Sequence, residues 1–309
     1  MTRAGGDAHA LRGARAVQVA AQAKVNLRLR ILAREASGFH QLETIVLRLE
    51  LADTVRVRRA TSRSLDVAGT VDAAALGPAE QNLAWRAAHA YAAAASWRGG
   101  FAIELEKRIP VGGGLGGGSA DAGAVLRALD AMSTTPLGES ALLEIGRTLG
   151  ADVPFLTSEQ ACALSWGRGE RMLGLAPPPA RGIVLLVPAF GVNTAEAYGW
   201  LAARASSGVG GGAGAGLLDL ASLTSWDGLA TIAENDFELV VSAHHPVLAA
   251  MVEALCRAGC SPAMLSGSGS VVFGVFPADA PVQLPALSEP CTALLTRSAN
   301  RVEPVSALD

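Results

Sequence analysis

Six of the seven residues from Gly112 to Gly118 are glycine, and the chain runs from this segment directly into a helical pattern. Glycine loses more conformational freedom on folding than any other residue, so such a cluster is costly unless the backbone needs positive φ angles or closely approaches a ligand. Just before a helix, the usual ligand is phosphate, because free N–H groups and the helix dipole both favour an anion. The segment therefore predicts a phosphate-binding loop followed by a helix.

The loop does not fit the Walker type of phosphate loop, which needs a lysine, because the segment contains none. Gly112, Gly114 and Gly117 satisfy the G-x-G-x-x-G spacing of dinucleotide-binding folds. That fold also requires a second strand that ends in an acidic residue about 20 positions on, whereas residues 133–149 predict a turn and a helix. The interpretation that remains is a nucleoside triphosphate held by backbone N–H groups, with Ser119 at or next to the helix N-cap.

The composition limits the binding partners of the protein and the cellular compartment in which we expect it. A net charge of −3 indicates no basic surface for nucleic acid, and no apolar run is long enough to span a membrane. The four cysteines have neither metal-ligand nor disulfide spacing, which fits a reducing cytoplasm. We therefore expect a cytoplasmic protein that binds neither nucleic acid nor a membrane.

Strands precede helices without strict alternation, which is typical of α+β proteins rather than doubly wound ones. The apolar pattern predicts a strand over 16–33 and two more within 40–60, broken near Ala52 and Asp53. Further strands are predicted over 101–108, 161–175 (strand and turn), 180–190 and 271–276, and helices over 81–95, from Ser119 to about Met132, over 142–149 and after Pro246.

The domain organisation follows from shifts in composition. Residues 1–15 lack an apolar core and predict a flexible tail rather than a signal peptide. We expect two lobes of similar size, an ATP-binding lobe over 16–165 and a substrate-binding lobe over 166–309. The Gly-rich stretch at 203–217 predicts a flexible insertion in the second lobe.

Only two of the 25 basic residues are lysine, Lys24 and Lys107. Where arginine is the usual cation, a retained lysine is a candidate for a site that needs a compact ammonium group. The competing interpretation is a lysine kept on a solvated face, and it stays open for Lys107.

Four segments resemble one enzyme superfamily. "PVGGGLGGGSADAGAVLRAL" (110–129) is similar to the phosphate-binding motif of galactokinase, homoserine kinase, mevalonate kinase and phosphomevalonate kinase. The stretch from Ala23 to Asp53, with "LGADVPF" (149–155) and "MLSGSGSVVFGVF" (264–276), resembles the 4-diphosphocytidyl-2-C-methyl-D-erythritol kinase family within it. The resemblance implies a two-lobed α+β kinase fold with its active site in the cleft between the lobes.

The family resemblance also implies a reaction. It is ATP-dependent phosphorylation of the 2-hydroxyl of 4-diphosphocytidyl-2-C-methyl-D-erythritol, in the non-mevalonate route to isoprenoid precursors. Asp152 would act as the base and Lys24 as its electrostatic partner. Mg²⁺ is expected because it accompanies ATP, with Ser119 as a candidate ligand and Asp121 as a weaker one.

The resemblance extends to the two binding sites. The implied ATP-binding residues are Asn82, Leu83, Lys107, Pro110, Gly112, Gly113, Gly114, Leu115, Gly116, Gly117, Gly118, Ser119 and Asp121. The implied acceptor-binding residues are Asn26, Phe39, His40, Thr194, Tyr198, Gly267 and Ser268. Phe39, where the family usually has tyrosine, and Tyr198 would stack on the two faces of cytosine while His40 reads its edge.

Two alternatives stay open. One is another small-molecule kinase of the same superfamily, acting on mevalonate or homoserine. The other is a nucleotide-binding regulator without catalysis, against which the presence of both Lys24 and Asp152 argues, because a protein that only binds nucleotides needs no base.

Overall fold

The computed structural model describes residues 11–35, 40–69, 78–206, 218–278 and 290–308. The strands are β1 (Ala16–Arg34), β2 (His40–Ala60), β3 (Ser64–Gly69), β4 (Gly100–Lys107), β5 (Cys162–Gly167), β6 (Arg171–Leu175), β7 (Gly182–Pro188), β8 (Glu234–Asn235), β9 (Ala263–Leu265), β10 (Val272–Val275), β11 (Cys291–Arg297) and β12 (Ser306–Ala307). The helices are α1 (Leu83–Ala94), α2 (Gly117–Met132), α3 (Glu139–Leu149), α4 (Val153–Thr157), α5 (Thr194–Ser206), α6 (Leu220–Thr224), α7 (Trp226–Ile232), α8 (Asp236–His244) and α9 (Pro246–Arg257).

The described strands form two sheets. The larger sheet has the order β12-β1-β2-β4-β3, with β5 and β6 extending it from β2 and with β8 paired to β1. The smaller sheet has the order β11-β7-β10-β9. Their pairing is mostly antiparallel, and β3 with β4 and β1 with β8 are parallel pairs.

Each sheet packs against its own set of helices. The alternating apolar residues of β1, such as Val19 and Val25, are buried in the larger core with residues of α1 to α4. In the smaller lobe, Leu186 and Val272 are buried with Phe237 from α8. The strands β7 and β10 are buried on both faces, because the residues that alternate with Leu186 and Val272 lie in the larger core.

The segment 40–60 forms one strand, so the predicted break near Ala52 and Asp53 is wrong. The first half of β2 pairs with β5 and the second half with β4, while β1 runs along the whole strand. The Asp53 carboxylate is tolerated in this buried strand because it accepts hydrogen bonds from the backbone N–H groups of Arg108 (2.5 Å) and Ile109 (2.8 Å). A polar residue that satisfies its hydrogen bonds across the sheet does not end a strand.

The lobe boundary also differs from the expected one. Residue 165 lies inside β5, and β6 continues the larger sheet to Leu175, so a division after 165 would cut a paired hairpin. At the N-terminus, Leu11 is buried and Gly13 donates to the carbonyl of Met132 (3.0 Å). Residues 11–15 therefore belong to the folded body and not to a flexible tail.

The predicted insertion at 203–217 lies mostly outside the described residues. Its first four residues, 203–206, form the last turn of α5 instead. No helix among the described ranges is both long and apolar enough to cross a membrane.

Candidate active site

The glycine loop joins β4 to α2 and has the backbone conformation that its composition predicts. Gly112, Gly114 and Gly116 have φ angles of +73°, +79° and +72°, which other residues rarely adopt. Gly116 is the N-cap of α2, so Ser119 is the third residue of the helix rather than its N-cap. The first N–H groups of a helix have no intrahelical acceptor and point out of its N-terminus, where an anion binds.

Both lobes hold this loop in place. The backbone N–H of Lys24 on β1 donates to the Leu115 carbonyl (2.9 Å), and that of Val271 donates to Gly113 (3.1 Å). The Ser266 hydroxyl donates to the Gly114 carbonyl (3.0 Å), and a Cβ at Gly114 would lie 2.0 Å from the carbonyl oxygen of Ser266. The close approach of the 266–270 turn therefore requires glycine at this position.

Three adjoining cavities form one cleft that begins at the loop. The loop cavity, of about 180 Å³, is lined by Asn82, Leu83, Lys107, Pro110, Val111, Gly112–Gly118 and Asp121. The central cavity, of about 520 Å³, shares Leu83 and several loop glycines with it and is also lined by Lys24, Asn26, Thr44, Ser119, Asp152, Phe155, Ser165, Thr194, Tyr198, Phe237, Gly267 and Ser268. The outer cavity, of about 590 Å³, shares Leu42, Ala151 and Tyr198 with the central one and is also lined by Glu35, His40, Arg147 and Arg168.

Lys24 and Asp152 meet in the central cavity. The Lys24 ammonium lies 3.3 Å from the Asp152 carboxylate and donates a 2.7 Å hydrogen bond to Asn26 Oδ1. Asn26 in turn donates to Thr44 Oγ1 (2.8 Å). The side chain of Lys24 is 4% exposed, whereas that of Asp152 is 37% exposed. A buried cation thus faces a carboxylate that a substrate can reach.

The local sequence explains the position of Asp152. It is the N-cap of α4, with Pro154 in the first turn, and the buried Val153 and Phe155 anchor that short helix in the core. At the other end, the buried guanidinium of Arg48 donates to the carbonyl of Ser158 (2.9 Å), the C-cap of α4. Asp152 therefore projects from a backbone segment that is fixed at both ends.

Lys107 lies in a buried charge cluster with Asp53 and Asp121. Its ammonium donates to both carboxylates, and the side chain is 3% exposed, which excludes a solvated surface position. Burial alone would lower the pKa of Lys107, but the charges of Asp121 and Asp53 outweigh this effect and raise it. Lys107 and Asp121 also line the loop cavity.

The carboxyl group of Asp121 in this cluster has a strongly raised pKa. Burial raises the pKa of its carboxyl group to about 7, although the Lys107 ammonium opposes the shift. Its Oδ2 accepts from Lys107 and its Oδ1 is buried without a hydrogen-bond partner. This engagement with Lys107 does not favour the expectation of Asp121 as a magnesium ligand.

The raised pKa predicts a specific pH dependence of stability. Folded Asp121 keeps its proton up to about pH 7, whereas the unfolded carboxyl loses it near its ordinary value of 3.8. The folded state therefore binds more protons in this range, and the free energy of unfolding should fall as the pH rises through it. Urea denaturation at pH 5 and pH 8 should show a smaller decrease for Asp121→Asn than for the wild type. Identical decreases would contradict the raised pKa.

The aromatic residues at the outer end are arranged differently from the prediction. The rings of His40 and Tyr198 stack on each other, with centroids 4.3 Å apart and planes 16° apart. Tyr198 also contacts Phe237 edge-on (4.9 Å). His40 thus covers one face of Tyr198, and the two rings form a pair rather than lying on opposite sides of a binding space. Phe39 lies outside the described residues.

The remaining predicted acceptor residues lie where α5 meets the 266–270 turn. The hydroxyls of Thr194 and Ser268 are 2.9 Å apart. Asn235 donates to the carbonyls of Leu265 (2.9 Å) and Gly267 (2.8 Å) and so holds the turn against the larger sheet. Thr194, Gly267 and Ser268 line the central cavity beside Asn26.

Several cavity residues were not identified from the sequence. Thr44, Phe155 and Ser165 line the central cavity, and Asp53 completes the Lys107 cluster. Thr44, Phe155 and Asp53 lie in segments that carry the family resemblance, but no feature of those segments marks them as site residues. Ser165 lies outside those segments, and only the pairing of β5 with β2 reveals it.

Comparisons with known proteins identify the fold. Residues 82–160 match the family model of the GHMP kinases N terminal domain, and residues 217–292 match that of the GHMP kinases C terminal domain. A solved 4-(cytidine 5'-diphospho)-2C-methyl-D-erythritol kinase is 31% identical, with a TM-score of 0.68 over 91% of this chain and 98% of that one. A homoserine kinase from Cytophaga hutchinsonii shares the fold at 17% identity and a TM-score of 0.64 over 100% of this chain and 99% of that one. These matches confirm the two-lobed α+β kinase fold.

Relatives found by sequence similarity assign the chain to one family within the GHMP kinases. The 4-diphosphocytidyl-2-C-methyl-D-erythritol kinase of Solibacter usitatus is 41% identical over 83% of this chain and 80% of that protein. The kinase of the same name from Pelotomaculum thermopropionicum is 38% identical over 82% of this chain and 87% of that protein. The chain therefore belongs to the 4-diphosphocytidyl-2-C-methyl-D-erythritol kinase family of the GHMP kinases.

Proposed function

We propose that this protein transfers the γ-phosphoryl group of ATP to the 2-hydroxyl of 4-diphosphocytidyl-2-C-methyl-D-erythritol, a step of the non-mevalonate route to isoprenoid precursors. The observation that carries the proposal is the continuous cleft, in which the Lys24–Asp152 pair lies between the glycine loop and the His40–Tyr198 stack. A phosphate donor at one end and a long acceptor at the other would then meet at the reacting pair.

ATP would occupy the loop cavity with its phosphates at the N-terminus of α2. Backbone N–H groups there hold charge without reorganising during the reaction. Asn82, Leu83, Lys107 and Pro110 line the same cavity and would surround the rest of the nucleotide.

Mg²⁺ would accompany ATP and neutralise charge on its phosphates. The described residues contain no cluster of three or more histidine, cysteine, aspartate or glutamate side chains that could hold a metal ion. Ser119, which lines the central cavity in the first turn of α2, is the proposed protein ligand. A single serine hydroxyl fits a magnesium ion that arrives bound to ATP and keeps most of its water ligands.

Asp152 would accept the proton of the attacking hydroxyl. Its carboxylate is reachable from the central cavity, and phosphoryl transfer needs a base there mainly to orient the nucleophile. The Lys24 ammonium, held by Asn26, would stabilise the negative charge that passes between the hydroxyl and the transferred group. Asn26, Thr194, Gly267 and Ser268 would enclose the erythritol part.

The aromatic pair would bind the cytosine end. We expect Tyr198→Ala to raise the KM for the cytidyl acceptor about tenfold, because base stacking contributes roughly 1–3 kcal/mol, and to leave the KM for ATP unchanged. Trp200→Ala is the matched control, since Trp200 lies on the same helix and stacks on His244 (4.1 Å), outside the three cavities. Equal effects of both variants on the acceptor KM would count against a cytosine site at Tyr198.

The proposal is tested by ADP release with ATP, Mg²⁺ and one of three acceptors: the cytidyl erythritol, mevalonate or homoserine. Turnover with the cytidyl acceptor alone is expected. Turnover with mevalonate or homoserine instead would support the proposed roles of Lys24, Asp152 and the glycine loop. It would contradict cytosine binding in the outer cavity. Absence of turnover with all three would favour a non-catalytic nucleotide-binding protein.

A further inference from the structure

Ser165 lies on β5 and lines the central cavity together with Lys24, Asn26 and Thr44. It is directly opposite Thr44 in the β2–β5 ladder. Side chains alternate along a strand, so the next residue, Trp166, is exposed while Ser165 is buried on the inner face. Ser165 thus extends the polar wall of the cavity by one strand.

The hydrogen bonds of this wall stop before Ser165. Lys24 donates to Asn26, Asn26 donates to Thr44, and Thr44 donates to the carbonyl of Arg28 (2.7 Å). The Ser165 hydroxyl is buried and has no hydrogen-bond partner. A buried hydroxyl without a partner destabilises the fold, and most such groups in native proteins are satisfied by a partner, water or ligand.

We propose that Ser165 binds the acceptor through a hydrogen bond to an uncharged hydroxyl group of its polyol part, and so helps to determine specificity. This inference rests on the proposed function. A serine hydroxyl is one donor and two acceptors, which matches an alcohol group on the ligand. Because Asp152 and Lys24 take the reacting hydroxyl, Ser165 on the far side of Thr44 binds a hydroxyl that does not react.

Ser165→Ala separates this role from a purely structural one. The KM for the cytidyl acceptor should rise about tenfold, the size expected for one lost hydrogen bond. The kcat and the KM for ATP should stay unchanged, because the bond is equally strong in the ground state and the transition state. Without acceptor, the Tm should stay equal or rise, because the variant removes a hydroxyl that the empty protein does not satisfy.

Ser298→Ala is the matched control. Ser298 is also a buried serine, but its hydroxyl accepts from the backbone N–H of Arg181 (2.9 Å) and it lies outside the three cavities. This variant should lower the Tm and leave the acceptor KM unchanged. The two serines therefore give opposite patterns if the proposal is correct.

The possible outcomes separate the inference from the proposed function. Normal acceptor KM in Ser165→Ala, with a wild type that turns over the cytidyl acceptor, would overturn the role of Ser165 and indicate a bound water. Equal rises of the KM for ATP and the KM for the acceptor would also overturn it, because they would indicate that the substitution changes the whole cleft. A wild type that neither binds nor phosphorylates the cytidyl acceptor would overturn the proposed function and this inference with it.

Discussion

Asp152→Asn is expected to lower kcat by about three orders of magnitude, because a positioned general base contributes roughly 10²–10⁴ to the rate. Asparagine keeps the shape of the side chain but cannot take the proton of the acceptor hydroxyl. The KM for ATP should change little, because Asp152 lines the central cavity whereas the loop cavity is built from other residues. Steady-state kinetics and ATP binding by calorimetry measure both effects.

Asp227→Asn is a suitable control for this substitution. Asp227 is an exposed carboxylate on α7, outside the three cavities, so its loss should leave kcat unchanged. If Asp152→Asn retained most of the wild-type kcat, Asp152 would have no role as a base. If ATP binding were lost together with turnover, the substitution would have disturbed the glycine loop instead.

Lys107→Met is expected to destabilise the protein by about 3–5 kcal/mol, the usual effect of removing one partner from a buried ion pair. Methionine fills the space but leaves the Asp53 carboxylate buried without a cation, beside the Asp121 carboxyl group, which also loses its hydrogen bond to Lys107. Arg108 and Ile109, which enter the glycine loop, are bonded to Asp53, so ATP binding should weaken as well. Urea denaturation at pH 7 measures the stability change.

Two further variants check the cause of this loss. Arg147→Ala removes an exposed ion pair with Glu144 and should leave the stability almost unchanged. The effects of Asp121→Asn and Lys107→Met should not add in the double variant, because each substitution removes the same hydrogen bond between Lys107 and Asp121. Additive losses in the double variant would mean that Lys107 and Asp121 do not interact energetically.

The conformation of the glycine loop was predictable because it leaves a local pattern in the sequence. The positive φ angles of Gly112, Gly114 and Gly116 and the close contact of Gly114 with Ser266 need glycine at alternate positions, so the requirement is visible within one short segment. Lys24 and Asp152 were identified because their surrounding motifs resemble a known family. The two residues meet only in the folded protein, at 3.3 Å.

The charge cluster and the polar wall could not be predicted in the same way. Asp53 is 54 residues from Lys107 along the chain, and their contact depends on β2 continuing past Ala52 to pair with β4. Ser165 reaches the cavity only because β5 pairs with the first half of β2. A change in strand register would move either side chain to the other face of the sheet, and no short motif specifies that register.

The most direct test of the central claim is to follow the fate of the phosphoryl group by ³¹P NMR with ATP, Mg²⁺ and 4-diphosphocytidyl-2-C-methyl-D-erythritol. A continuous cleft with Asp152 at the acceptor hydroxyl predicts one new phosphate monoester on the 2-hydroxyl of the acceptor for each ADP released. Release of inorganic phosphate in place of that monoester would show hydrolysis rather than transfer and would contradict the proposed function.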